Sequence, residues 1–190
     1  MKILFLYNNS CAEELGQWLE SQNHEVVFWQ EKLDDVWCGE QQFDLTISYT
    51  YRYIIDKRTI EVLNNNVVNI HNSFLPWNRG ASPNIWSVVD GTPRGVTLHY
   101  IDENLDKGDI IAQRIVPIME NETLKSGYDR MDFVAKEMFK ETFLYYAYWP
   151  SMKKKALGKG SYHSSKDGER FKSVIKDYDI LIKEFINKLK

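Results

Sequence analysis

The chain has 190 residues, 43% of them hydrophobic, which is enough to enclose the core of one ordinary domain. Its 24 Lys and Arg residues and 27 Asp and Glu residues leave a formal net charge of -3, so it lacks the broad basic field that non-specific nucleic-acid binding needs. We therefore expect no nucleic-acid partner.

The two cysteines, Cys11 and Cys38, argue against a secreted scaffold and against a zinc site. They are too few for a disulfide framework and do not form a Cys-x-x-Cys pair. The apolar start at residues 3–7 is too short for a signal peptide, and no apolar run has the length needed to span a bilayer. The sequence thus predicts a cytoplasmic protein with no membrane partner and no metal.

The first half of the chain alternates strand and helix patterns. A continuous apolar run at residues 2–7 indicates a buried strand, and Ser10 with Glu13 has the spacing of a capping box at the start of a helix. A second helix is expected near residues 57–63. Strand-like runs lie before it at residues 26–29 and 45–49 and after it at residues 67–71. This alternation is typical of an α/β fold with a mostly parallel, twisted sheet flanked by helices.

The second half continues the same pattern. Pro83, at a first helical position, opens a short helix that stops at Gly91, and a longer helix occupies roughly residues 122–148. A Lys-, Gly- and Ser-rich stretch at residues 153–168 indicates an extended surface segment. The other expected elements are strands near 95–101 and 110–117 and a last amphipathic helix at about 177–189.

Candidate catalytic residues lie at or beyond the ends of two predicted strands, where ligands of open α/β sheets bind. Asn69 offers an amide donor for an oxyanion, and His71, on the same face of an extended chain, offers an imidazole for proton transfer. Asp106 could orient that imidazole, which completes a set suited to acyl transfer. Two structural alternatives stay open at this point. A strand-end Asn-x-His is more often structural, and an aspartate in a Leu-Asp-Lys-Gly turn usually caps its own backbone.

A longer ordered pattern surrounds these residues. It comprises Asn69–Gly80 (NIHNSFLPWNRG), Pro83, Trp86, Gly91, Gly95–His99, Asp102 and Asp106–Ile111. The pattern resembles the signature of the 10-formyltetrahydrofolate-dependent formyltransferases, and most closely that of the sugar N-formyltransferases. The resemblance implies a Rossmann-like formyltransferase fold, 10-formyltetrahydrofolate as formyl donor, and Asn69, His71 and Asp106 as catalytic residues.

The resemblance also implies where the donor binds. In the family the pteridine is held largely through backbone atoms of two loops. The matching positions here are Arg52, Tyr53, Ile54, Ile55, Asp102, Glu103, Asn104 and Leu105. We accordingly assign residues 1–150 to the formyltransferase catalytic domain and residues 151–190 to a C-terminal extension packed on the same domain.

The expected acceptor is a nucleotide-linked amino sugar, such as a UDP- or dTDP-linked 4-amino-4,6-dideoxy sugar for surface glycan biosynthesis. Residues 47–53 and 76–80 look most like sugar-modifying members, and only about 40 residues follow position 150, where methionyl-tRNA formyltransferases carry a further barrel. The candidate acceptor contacts are Asn9, Ser10, Ser73, Trp77 and Arg79. For Trp77 the alternative is packing under the Pro83 helix, and for Arg79 it is pairing with a carboxylate.

Other functions and contacts stay open. The acceptor could be another small amine, such as a glycinamide ribonucleotide or an aminoacyl group, or the chain could be a non-catalytic folate- or nucleotide-binding module. A Rossmann dehydrogenase is excluded because the turn after the first strand lacks glycine, the first being Gly16. The aromatic residues at 145–149 predict either a homodimer contact or a surface covered by the C-terminal segment.

Overall fold

A computed structural model of the chain, which describes residues 1–189, contains eight strands and seven α-helices within that range. The strands are β1 (Lys2–Leu6), β2 (Glu25–Trp29), β3 (Leu45–Tyr49), β4 (Val67–His71), β5 (Arg79–Gly80), β6 (Gly95–Tyr100), β7 (Ile110–Ile115) and β8 (Tyr162–His163). The helices are α1 (Glu13–Ser21), α2 (Asp35–Gln41), α3 (Lys57–Val62), α4 (Pro83–Val89), α5 (Leu124–Phe143), α6 (Trp149–Met152) and α7 (Ile182–Leu189).

Six of the strands form one sheet in the order β2-β1-β3-β4-β6-β7. Strands β1 to β4 run parallel, whereas β6 pairs antiparallel with both β4 and β7. Because β6 alone is reversed, β7 again points the same way as β4. The predicted mostly parallel α/β sheet is therefore confirmed.

Helices cover both faces of this sheet, which explains the unbroken apolar run of the first strand. Ile3 and Phe5 pack in a cluster with residues of α1 and α5. Leu4 and Leu6 point to the opposite face and pack with residues of α2 and α3. Successive side chains of a strand alternate between faces, so a strand buried on both sides needs apolar residues at every position.

Three local predictions were wrong. The expected cap Ser10 does not cap a helix, because the preceding Asn9 accepts a hydrogen bond from Cys11 N at 3.2 Å and starts a 3₁₀ turn before α1. The helix expected at 122–148 ends at Phe143, because the chain turns back to bury Trp149, whose Nε1 donates to the Thr142 carbonyl at 3.0 Å. The last helix starts at Ile182 and not near 177, where Asp177 forms a local turn with Asp179 N.

The four-residue helix α6 was missing from the predicted elements, and so was the longer helix α2. Its N-terminus carries a readable signal, because the Asp34 carboxylate accepts a hydrogen bond from Trp37 N at 2.9 Å. Only Cys38 is fully buried in this helix, so the sequence gives it a weak apolar stripe.

The C-terminal segment packs on α4 and the loop before it. Phe171, Ile182 and Phe185 join a buried cluster with Ile85 and Trp86 of α4. Strand β8 pairs with β5, and Lys154 forms an isolated bridge with Ile110. The stretch predicted as an extended surface segment is thus tied into the fold. Lys190, the last residue of the predicted extension, lies outside the described residues.

The aromatic residues after α5 divide into packed and exposed members. Trp149 is fully buried and packs edge-on against Phe139 and Phe143, whereas Tyr145 and Tyr148 are exposed. The homodimer contact stays a prediction. Across residues 1–189, the helices are all too short or too polar to cross a membrane.

Candidate active site

The sheet brings four polar side chains to one place. Asn69 and His71 lie at the carboxyl end of β4, and the antiparallel register of β6 places His99 directly opposite Asn69. The loop between β6 and β7 then returns Asp106, which has a left-handed backbone with φ of 52°. The three residues predicted as catalytic are therefore brought together, with His99 as a fourth member.

The Asp106 carboxylate lies between the two histidines. Its Oδ2 is 3.7 Å from His71 Nε2, and its Oδ1 is 3.7 Å from His99 Nε2. Oδ2 also accepts a hydrogen bond from Gly80 N at 2.8 Å. At 3.7 Å the two histidine contacts are electrostatic and are too long for hydrogen bonds. The Asp106 and His71 side chains are only 8% and 9% exposed, so solvent screens this charge poorly.

The proton on neutral His71 can be assigned from its neighbours. Nε2 lies 3.2 Å from the carbonyl oxygen of Asn78 and faces the Asp106 carboxylate as well. Both groups are acceptors only, so the neutral ring carries its proton on Nε2. Nδ1 then holds the lone pair that can accept a proton.

The neighbours of His99 fix the other tautomer, with the proton on Nδ1. Its Nδ1 lies 2.7 Å from the Tyr100 carbonyl and must donate to it, so the neutral ring keeps a lone pair on Nε2. That lone pair accepts from the Asn69 amide, whose Nδ2 is 3.3 Å away. Burial lowers the pKa of His99 from 6.5 to about 4, although the Asp106 charge opposes this shift. His99 is therefore a neutral residue that orients Asn69 and leaves the second amide N–H of Asn69 for a ligand.

No role was predicted for His99. The residue belongs to the motif and lies near the end of a predicted strand, so its position gave a signal. Its neutral state depends on complete burial, and its contact with Asn69 depends on the register of two antiparallel strands. Neither property can be read from the residue type.

These side chains open into a cleft of about 610 Å³. Its lining includes all eight positions predicted for the donor, namely Arg52, Tyr53, Ile54, Ile55, Asp102, Glu103, Asn104 and Leu105. The first loop is fastened by Arg52 N, which donates to Asn8 Oδ1 at 2.9 Å, and the second by Asn104 N, which donates to Asp102 Oδ1 at 2.7 Å. The rest of the lining includes residues 162–165 of the C-terminal segment. The donor assignment itself stays a prediction.

The five residues predicted to contact the acceptor lie elsewhere. Asn9 and Ser10 are exposed on the 3₁₀ turn after β1, and Trp77 is 36% exposed. Ser73 is fully buried, which leaves it no surface for a substrate. Arg79 donates from Nε and Nη2 to the carbonyls of Ser161 and Lys159, both at 3.3 Å. These partners are backbone oxygens, whereas the predicted alternative was pairing with a carboxylate. None of the five is among the residues lining the cleft.

Within residues 1–189 there is no group of three or more His, Cys, Asp or Glu side chains arranged to hold a metal ion.

Comparisons with known proteins point to one family. Residues 29–143 match the formyl transferase family. The formyltransferase PseJ from Anoxybacillus kamchatkensis, in complex with UDP-4,6-dideoxy-4-formamido-L-AltNAc and tetrahydrofolate, is 38% identical with a TM-score of 0.87, and the match covers 100% of both chains.

Two further relatives match part of the chain. A dTDP-4-amino-4,6-dideoxyglucose formyltransferase of Mycobacterium bovis is 30% identical over 155 residues, which are 75% of this chain and 65% of that protein. A methionyl-tRNA formyltransferase of Listeria monocytogenes is 33% identical over 100 residues, which are 52% of this chain and 32% of that protein. The chain thus spans about a third of the tRNA enzyme and just under two thirds of the sugar enzyme.

Proposed function

Since this chain belongs to the formyl transferase family, we propose that it transfers the formyl group of 10-formyltetrahydrofolate to the amine of a nucleotide-linked amino sugar. One observation carries the proposal. Asn69, His71 and Asp106 meet at the mouth of a cleft that the two predicted donor loops line.

The proposed reaction forms a bond between the acceptor nitrogen and the formyl carbon and breaks the bond between that carbon and N10 of the folate. The second N–H of the Asn69 amide donates to the oxyanion of the tetrahedral intermediate. His71 accepts the proton of the attacking amine on Nδ1 and returns a proton to the leaving N10. Asp106 faces the Nε2 side of the ring and stabilises the imidazolium that forms between these steps.

The choice of a sugar acceptor rests on the relatives. The protein that matches over its full length was crystallised with a UDP-linked formamido sugar and with tetrahydrofolate. The sugar enzyme of Mycobacterium bovis also matches over more of this chain than the tRNA enzyme does. The net charge of -3 supports a small acceptor over tRNA as well.

Donor binding is tested by calorimetry with a stable folate analogue. We expect stoichiometric binding that a double variant with bulky residues in both donor loops, Ile54→Trp and Leu105→Trp, weakens. Both positions are exposed and line the cleft, so the fold should tolerate the changes. Absence of binding at any reachable concentration would overturn the assignment of the donor.

Acceptor choice is tested by competition. The protein is incubated with the donor, a UDP- or dTDP-linked 4-amino-4,6-dideoxy sugar and methionyl-tRNA in the same tube. We expect the formyl group on the sugar, and formylation of the tRNA at a comparable rate would contradict the proposal.

A further inference from the structure

The C-terminal segment reaches the catalytic residues through a loop of the motif. We use "strap" for residues 159–163 and "motif loop" for residues 76–81. Three backbone hydrogen bonds join them: Ser161 N donates to Pro76 O at 3.2 Å, Arg79 N to Ser161 O at 3.1 Å, and Ala81 N to His163 O at 2.9 Å. The family match ends at residue 143, so the strap lies outside it.

The two segments are in unusually close contact at Gly160. This residue has a left-handed φ of +62°, and a Cβ there would lie 2.0 Å from Pro76 O. Only glycine fits both the backbone conformation and the approach. The contact of Gly160 with Pro76 therefore fixes the position of the strap against the motif loop.

Ser161 makes two side-chain hydrogen bonds to one residue of the motif loop. Its hydroxyl accepts from Asn78 N at 2.8 Å and donates to Asn78 Oδ1 at 3.1 Å. The Asn78 Nδ2 donates to Thr92 Oγ1 at 2.7 Å, so this amide is held from both ends. Asn78 is fully buried and has a left-handed φ of 55°, a conformation that asparagine tolerates but does not prefer. The Ser161 hydroxyl thus holds the Asn78 backbone in its unusual conformation.

The Asn78 backbone in turn faces the catalytic histidine, because its carbonyl oxygen lies 3.2 Å from His71 Nε2. We propose that Ser161 is a positioning residue for catalysis, which fixes Asn78 so that the Asn78 carbonyl keeps the His71 proton on Nε2 and Nδ1 ready to accept a proton. This inference rests on the proposed function for its effect on the rate, but its effect on the histidine does not depend on any substrate.

Removing the hydroxyl has a defined physical consequence. Asn78 N and Asn78 Oδ1 each lose their partner in a buried environment, and the peptide can rotate to recover hydrogen bonds. His71 then loses a carbonyl acceptor on Nε2. The other ionisable groups facing the ring, Asp106 at 3.7 Å and His99 at a centroid distance of 6.3 Å, remain unchanged. Both tautomers of neutral His71 therefore become populated.

The first test reads the tautomer directly by ¹H–¹⁵N correlation of the His71 ring in the ligand-free protein, at a pH where the ring is neutral. We expect the Nε2–H form in the wild type, a mixture in Ser161→Ala, and the Nε2–H form again in Ser161→Thr, which keeps the hydroxyl. Ser173→Ala is the matched control, because its exposed hydroxyl donates to the Arg170 carbonyl far from the cleft. An unchanged tautomer in Ser161→Ala would overturn the proposal.

The second test measures formyl transfer. We expect Ser161→Ala to lower kcat by about 10-fold with little change in the KM for the donor, and Ser161→Thr to restore most of the rate. Ser161→Cys, whose thiol is a weaker donor and acceptor than the hydroxyl, should act in the same direction by a smaller factor and serves if Ser161→Ala does not fold. A rise in KM with unchanged kcat would contradict a positioning role. A protein that shifts tautomer in Ser161→Ala but forms no formylated product would retain this inference and refute the proposed function.

Discussion

The ends of β4 and β6 carry two histidines that share one carboxylate but are held in opposite ways. His71 presents Nε2 to acceptors, the Asn78 carbonyl and Asp106, whereas His99 presents Nδ1 to an acceptor and Nε2 to the Asn69 amide. The difference separates two tasks. The ring at the end of β4 can exchange a proton with a ligand in the cleft, and the ring on β6 is a neutral acceptor that orients a neighbour.

Substitution of His71 or Asp106 should lower turnover more than any other change considered below. His71→Ala and Asp106→Asn are expected to lower turnover by about 10²-fold to 10⁴-fold, because the amine loses its proton acceptor or the imidazolium loses its stabilising charge. Binding of a folate analogue should change little. Steady-state kinetics and calorimetry measure both effects.

Matched controls for that prediction are available in the chain. His24→Ala changes a partly exposed histidine next to the N-terminus, and Asp129→Asn changes an exposed carboxylate that pairs with Lys125 at 2.7 Å. Both should leave turnover near the wild-type value. A folded His71→Ala variant as active as these controls would refute the role of His71.

A smaller effect is expected at the orienting histidine. His99→Leu removes the acceptor for Asn69 and should lower kcat by roughly 10-fold to 100-fold, the worth of one lost hydrogen bond in a buried site. His99→Gln offers Oε1 to the same amide and should retain more activity. If the leucine and glutamine variants are equally active, orientation of Asn69 is not the task of His99.

The pH dependence of stability should show the buried neutral ring of His99, with a smaller effect still. Burial lowers the pKa of His99 from 6.5 to about 4, so between these values the unfolded chain binds more protons than the folded chain. The free energy of unfolding must then fall as the pH falls through this window. His99→Gln should show a shallower fall in denaturant titrations. Identical slopes in wild type and His99→Gln would show that His99 is not buried as a neutral ring.

Most of the fold, and the convergence of Asn69, His71 and Asp106, could be predicted from the sequence. The unbroken apolar run at residues 2–7 and the alternating pattern predicted the sheet, and the ordered motif predicted the family, which the comparisons confirm. Local signals failed where two of them competed, as with Asn9 and Ser10, or where a contact with a later residue accompanies the end of a helix, as with Trp149 and the Thr142 carbonyl.

Contacts between distant parts of the chain were not predictable in the same way. The contact of Ser161 with Asn78 spans 83 residues and depends on the seating of Gly160 against a backbone carbonyl. The Lys-, Gly- and Ser-rich composition around it indicates only an exposed segment. Likewise Arg79 has the charge to bind a phosphate, and only the folded chain reveals that two of its N–H groups donate to the carbonyls of residues 159 and 161.

The central claim is that this site moves a formyl group from folate to a sugar amine through His71. The most direct measurement is mass spectrometry of UDP- and dTDP-linked 4-amino-4,6-dideoxy sugars after incubation with 10-formyltetrahydrofolate and either the wild-type protein or His71→Ala. We predict that one of these sugars gains a single formyl group with the wild type, with release of an equal amount of tetrahydrofolate, and that His71→Ala slows this gain by at least about 10²-fold. No formylated sugar from a folded, folate-binding wild-type protein, or an undiminished rate with His71→Ala, would contradict the account.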